Sequence, residues 1–350
     1  KFKLHDYFEN PADVDAMKSL RGIAAIGVIL HHISQHNTFQ QSKTIGLFLN
    51  AGAYFVAIFF FCSGYGLLKS FDKKPNYLKG FIKNRIGKGI ALPFYVDILL
   101  YGLVFLITGV EMPVAQWVCN ILGLTMMNVY AWFPVVLILL YFTFYLVFKF
   151  VKNRPLAFAI IGAVIIAQGV FFCWNGHFAW WYGDKNWWCN WGYRNDIWWR
   201  EEKVLWFNGE WWVNSSIAFL VGMVVANYEV AIRKFFGKLY YLKLFITLVL
   251  TVASFIMHNI VATKFGYWTE YNGEGPGIMN KFVTYLSQLP LMIFFVMFIF
   301  VVLLKFHAVN PVTKFLGKYS LQTYFMNHSL LLRIGLRNST ILTSSISTSL

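Results

Sequence analysis

The sequence predicts an all-α protein, a polytopic transmembrane helix bundle of about nine or ten helices with its N-terminus in the cytoplasm. Three observations predict it. Of 350 residues, 58% are hydrophobic and 13% are charged, against about 25% charged in an average soluble domain. The apolar residues fall into long blocks, and a bilayer core about 30 Å thick needs about 20 mostly apolar residues per helix. Lys and Arg concentrate between alternate blocks, as cytoplasmic loops do.

By apolar run, helices are expected near 20–36, 45–68, 90–109, 131–150, 156–174, 213–231, 242–260, 285–304 and 319–336. The stretch Met112–Tyr130 is apolar but short and broken by polar residues, which fits a re-entrant or an interfacial segment. A tenth helix would start near Ile341 and be cut off. The chain starts at Lys1 rather than Met and ends in the polar run Ser344–Leu350. The expectation is therefore one membrane-embedded domain over 1–350, with room for truncation at its ends. Residues 1–17 are polar and mixed in charge, unlike a cleavable signal peptide.

With the N-terminus inside, segments 1–21, 69–88, 149–154, 233–243 and 305–318 hold 21 of the 30 Lys and Arg residues. That asymmetry sets the orientation and accounts for most of the net charge of +15. Cations spread over loops that flank membrane helices argue against a nucleic-acid partner. The longest outer loop then runs from Asn175 to Trp212 and carries ten of the 14 tryptophans. It reads equally as an aromatic belt at headgroup level and as a stacking platform for sugar rings. Cys62, Cys119, Cys173 and Cys189 show no zinc or CxxC spacing and are expected as thiols, with Cys173 and Cys189 the pair able to meet outside the membrane.

Ionisable residues inside a spanning helix cost about 2.5–3.5 kcal/mol at its centre and mark function by default. The first helix carries Arg21 at its cytoplasmic mouth and His32 eleven residues later. At about 100° and 1.5 Å per residue, the two share a face and lie about 16 Å apart along the axis. His31 points elsewhere. A cation there can hold an anionic donor, and an imidazole near mid-depth can take a proton from an acceptor. The plainer alternative is a hydrogen-bonded core histidine with an anchoring arginine. Ser63, Gly64 and Gly66 near the end of the second helix permit close helix packing. Arg85 and Lys88, three apart at the start of the third helix, are expected to face one side and grip phosphates. Ser320, Tyr324 and His328, four apart, form a polar stripe that must face protein or a cavity. Asp97, His258 and Gln288 are expected to make structural hydrogen bonds. No phosphate loop, HExxH helix, GxSxG elbow or haem pattern occurs, so no metal or bound cofactor is expected.

Leu20-Arg-Gly-Ile-Ala-Ala-Ile-Gly-Val-Ile-Leu-His-His32 resembles the opening signature of the acyltransferase 3 family, integral membrane enzymes many of which O-acetylate surface polysaccharides, lipopolysaccharide or peptidoglycan. Arg21 and His32 match its Arg-X10-His pair. Phe59-Phe-Phe-Cys-Ser-Gly-Tyr65 is similar to its second-helix motif, and Arg85-Ile-Gly-Lys88 falls where the family carries RxxR. The Trp132-Phe to Tyr145 stretch looks like its Trp-led fourth helix, and Leu316-Gly-Lys-Tyr-Ser to His328 like its closing segment. The order is kept from residue 19 to about 330. Lys18 stands where an acidic residue often precedes the arginine. Lys88 replaces the second arginine, keeping charge but losing the bidentate fork.

The resemblance implies a membrane acyltransferase that moves an acyl group, most simply acetyl, from cytoplasmic acyl-coenzyme A to a hydroxyl of an extracytoplasmic glycan or glycolipid. Acetyl-coenzyme A is then a co-substrate rather than a bound cofactor, and the setting is a bacterial plasma membrane. His32 and Arg21 would be catalytic, Arg85 and Lys88 would bind the donor, and Ser63, Ser320, Tyr324 and His328 would line the passage. The alternative expectation is a transporter or flippase for a glycan or lipid-linked sugar, which shares the polar in-membrane residues but not the acyl donor. No internal repeat of the transporter kind is found.

Overall fold

A computed structural model describes residues 7–34, 42–107, 114–123, 128, 131–175, 214–265 and 278–322. Among these the fold is helical. In chain order the helices are α1 (Val14–Ser34), α2 (Gly52–Lys73), α3 (Leu92–Ile107), α4 (Val114–Ile121), α5 (Trp132–Phe150), α6 (Arg154–Asn175), α7 (Ile217–Gly237), α8 (Tyr240–Phe265), α9 (Ile278–Leu303) and α10 (Pro311–Lys318). Eight of the nine expected segments are helices. The ninth, 319–336, is described only through residue 322, and the Trp-rich loop lies outside the described residues.

Five described stretches are long and apolar enough to cross a bilayer: α2, the continuous Ile82–Ile107, α5, α8 and Met279–Leu303 within α9. α1 is more polar because it faces protein, packing against both α2 and α10. The spans differ in position within the bundle. In α2, 61% of the apolar window is buried, against 17% in α8, whose Phe245, Ile256 and Ile260 are exposed. α2 therefore forms the core, and α8 offers its apolar surface to lipid.

α2 and α7 make the most extensive contact because glycines let their backbones meet. A Cβ on Gly64 would collide with the Phe219 carbonyl oxygen, and one on Gly222 with that of Phe61. Gly66 differs from expectation. A Cβ there would meet nothing, so its role is not helix packing.

The five segments assigned to the cytoplasm meet at one end of the bundle. Asp15 pairs with Lys314 at 2.7 Å, Lys69 with Glu229, and Arg154 with Asp72. Arg233 donates to the Glu9 carbonyl, and the Tyr7 hydroxyl donates to that of Gly237 at 2.8 Å. Such convergence is what the charge count requires.

Three features depart from a simple bundle. Ile82–Ala91 winds as a π-helix before α3. α10 falls in what reads as a loop, but it starts with a capping box: the Asn310 side chain accepts from the Thr313 amide at 2.9 Å, and Pro311 occupies the first turn. The third is the stretch after α4. Asn128, 3% exposed, donates to both Asp97 carboxylate oxygens at 3.2 Å. Asp97 lies ten residues before the outer end of α3, about 15 Å down the helix, so the Asn128 side chain reaches a carboxyl inside the helix's apolar length. His258 also has its expected hydrogen bond, 3.0 Å to Ser287.

α10 lies against α1 backbone to backbone. A Cβ on Gly317 would collide with the Lys18 carbonyl oxygen, and one on Gly22 with that of Thr313. Gly317→Ala is expected to cost about 1–3 kcal/mol, read as a lower unfolding midpoint in nanodiscs. His307, in the connection before α10, is 3% exposed and stacks on Phe8 at 3.6 Å. Burial pushes its imidazole below its usual 6.5, so the folded protein holds it neutral. The unfolded chain takes up that proton first, so the contribution is full above pH about 6.5 and is lost as pH falls below it. Thermal stability is expected to fall from pH 7 to 5.5, with a shallower fall in His307→Phe. An equal slope in that variant assigns the pH dependence elsewhere.

Candidate active site

The inner end of the bundle opens into a cavity of about 600 Å³ that narrows outward into a chamber of about 190 Å³. Arg21, Ser63, Arg85 and Tyr141 line both and form the neck between them. Four elements bring these residues together. α1 starts at Asp13, whose carboxylate accepts from the Ala16 amide at 2.7 Å, and this fixes Arg21 two turns inside the helix. α2 supplies Ser63. The π segment supplies Arg85, whose guanidinium lies 5.6 Å above the Tyr77 ring. α5 supplies Tyr141, which is hydrogen-bonded to Ser63 and close enough to feel the charge of both arginines.

The wider cavity is ringed by charge, with Asp13, Lys69, Lys73, Lys74 and Glu229 in its wall. Lys69 and Glu229 neutralise one another. The Arg21 Nε is buried and has no hydrogen-bond partner among the described residues. A guanidinium with an unmet donor in a low-dielectric neck is a strong anion site, because charge-assisted hydrogen bonds gain as water is excluded.

The sequence-derived residues fall into groups. Arg21, Ser63, Arg85 and Ser320 are brought together at the chamber. Lys88 is exposed and lines neither cavity. The shared face expected for Arg85 and Lys88 assumes an α-helix. With i→i+5 bonding the turn is wider, and three residues fall well short of one turn. His32 is 5% exposed and lines neither cavity. It stands on the unbroken α1, about 16 Å outward of Arg21 on the same face, with its ring 5.1 Å from that of His31. His31 is fixed by its Nδ1, 2.9 Å from the Phe48 carbonyl oxygen. Tyr324 and His328 lie outside the described residues.

Two site residues were missed by sequence reasoning. Tyr141 follows Phe133 and Leu137 at four-residue spacing, and all three face the chamber. That stripe was readable, but an aromatic on an apolar helix carries little signal. Asn84, beside Arg85, sits in a basic stretch that the charge rule alone explains.

These features define a polytopic helical membrane protein with a cation-necked cavity at its inner end. Compared with protein families, residues 14–340 match the model of an acyltransferase domain, acyltransferase 3, and the chain belongs to that family. It is thus a membrane acyltransferase, which sets aside the transporter expectation. No curated protein and no solved structure matches it.

The two basic positions are separable by experiment. On the expectation of an acyl-coenzyme A donor, Arg85→Ala should weaken binding of acetyl-coenzyme A about tenfold or more, since a charge-assisted contact is worth about 1.5–3 kcal/mol, and Lys88→Ala about twofold or less. Isothermal titration on nanodisc-held protein reads both, and equal losses would give Lys88 the same part in binding as Arg85.

Proposed function

We propose that the protein takes an acyl group, acetyl in the simplest case, from acyl-coenzyme A on the cytoplasmic side and transfers it to a hydroxyl of a glycan or glycolipid on the outer side of a bacterial plasma membrane. The observation that supports it most is the neck of Arg21 and Arg85 at the end where the basic segments converge, with α1 running unbroken from that neck to His32. The arginines hold the anionic part of the donor. Ser63 and Ser320 line the way outward, and Tyr324 and His328 extend that line from sequence spacing.

His32 acts as general base. Its imidazole takes the proton of the acceptor hydroxyl as that oxygen attacks the thioester carbonyl. The carbon–sulfur bond breaks, and the thiolate leaves and is protonated. A base of this kind contributes about 10²–10⁴-fold. The ten tryptophans between Asn175 and Trp212 suit a sugar-bearing acceptor by composition.

The test uses protein in nanodiscs with radiolabelled acetyl-coenzyme A and outer-membrane or cell-wall glycans as acceptors. Label is expected to move to glycan with wild type and to fall at least 100-fold with His32→Ala, while donor binding persists. Full transfer by His32→Ala would remove the mechanism. Donor binding lost in the same variant would move His32 from base to binding residue.

A further inference from the structure

The wider, inner cavity has a wall feature that helix packing does not explain. α2 lines this cavity from the neck at Ser63 to the mouth at Lys73, about 15 Å along the axis. One turn inward of Ser63 stands Gly66, exposed to the cavity between the buried Tyr65 and Leu67. A Cβ added there meets no atom within 4 Å. Glycine is a poorer helix former than alanine, yet α2 runs unbroken through this position, and the glycine's φ is not positive. Neither packing nor backbone geometry calls for it. The use left for a bare main chain is close approach by a ligand.

Charge is divided along the same wall. At the neck stand Arg85 and Arg21, the latter with its buried Nε uncommitted among the described residues. At the mouth Lys73 and Lys74 are exposed and form no ion pair among the described residues. The carboxylates in the wall are already engaged, Glu229 by Lys69 and Asp13 by the Ala16 amide. Two sets of available cations therefore flank a stretch of bare backbone. The ligand that matches has two anionic groups joined by a neutral body. Coenzyme A has that pattern: a diphosphate, a nucleoside, and a phosphomonoester on the ribose, a group of about −1.5 to −2 charge at pH 7. At about 600 Å³ the cavity lies within the range of small-molecule and cofactor sites.

We propose that this cavity seats the donor's nucleoside against Gly66, and that Lys73 and Lys74 bind the phosphomonoester on its ribose. The inference rests on the donor being an acyl-coenzyme A. The diphosphate then meets Arg21 and Arg85, and the thioester arm runs outward through the chamber toward His32. The lysines at the mouth make the terminal phosphate a requirement. The enzyme thereby selects coenzyme A thioesters over carriers that bear the same arm without the nucleotide.

The experiment measures dissociation constants of coenzyme A, dephospho-coenzyme A and 4′-phosphopantetheine with nanodisc-held protein. Wild type is expected to bind dephospho-coenzyme A about tenfold or more weakly than coenzyme A, the effect of losing charge-assisted contacts. In the Lys73→Gln, Lys74→Gln double variant that ratio is expected to fall below about threefold, with dephospho-coenzyme A affinity held within about twofold. Gly66→Leu, which fills the seat without touching a neighbouring helix, is expected to weaken coenzyme A about tenfold or more through direct clash. It is expected to leave 4′-phosphopantetheine within about threefold and the unfolding midpoint no lower. A wild type indifferent to the terminal phosphate, or a double variant that weakens both nucleotides alike, overturns the lysine assignment. Gly66→Leu that binds coenzyme A as wild type does, or weakens 4′-phosphopantetheine equally, overturns the nucleoside seat. Each of these leaves the donor reading standing. Failure of coenzyme A to bind wild type at all overturns the donor reading and this inference with it.

Discussion

Arg21 can stand at the neck of an inner cavity because α10 presses its backbone against that of α1. The contact has no room for a Cβ at Gly22 or Gly317, so van der Waals packing between main chains holds it. Everything downstream inherits that register. Ser320 and Leu321 follow α10 directly and reach the chamber only if the short helix lies flat. The capping box at Asn310 and the Asp15–Lys314 pair guide it there. The ion pair is exposed and contributes little by itself, which leaves glycine packing as the governing constraint.

The inner end concentrates cations, and self-repulsion among them is the cost of the orientation rule. The fold offsets it locally. Three acidic residues at that end pair with cations: Asp15 serves Lys314 and Lys18, Asp72 serves Arg154, and Glu229 serves Lys69. Aromatic faces take further cations, with Lys305 about 5 Å from the Tyr7, Tyr240 and Tyr241 rings. Arg21, facing the cavity, keeps a donor uncommitted among the described residues. The distribution separates cations that hold the protein together from those left for a ligand.

The helices were legible because lipid imposes length and apolarity on each span independently of its neighbours. Arg21 and His32 were legible because a straight α-helix fixes their spacing. What the sequence concealed depends on winding and on contact between distant segments. The π turn that parts Lys88 from Arg85 leaves no mark that an α-helix with glycines would not also show. α10 is only eight residues long, and its cue, Asn310-Pro311 with Thr313, is small beside the basic residues around it. Tyr141 gains its meaning only when Ser63 and two arginines from other helices surround it. Conversely, Gly66 looked like a packing glycine and faces open space, because periodicity says which residues share a face and not what lies opposite.

The Asp97–Asn128 pair bears on how the molecule is made. α3 enters the bilayer with the Asp97 carboxyl well inside its apolar length, and the partner of that group is synthesised 31 residues later. Until Asn128 is made, the helix carries a polar group whose unpaired burial costs about 2.5–3.5 kcal/mol on insertion scales. The pair can therefore close only after α4 has been made. Maturation of this part of the bundle proceeds in a fixed temporal order, with the carboxyl waiting for its amide.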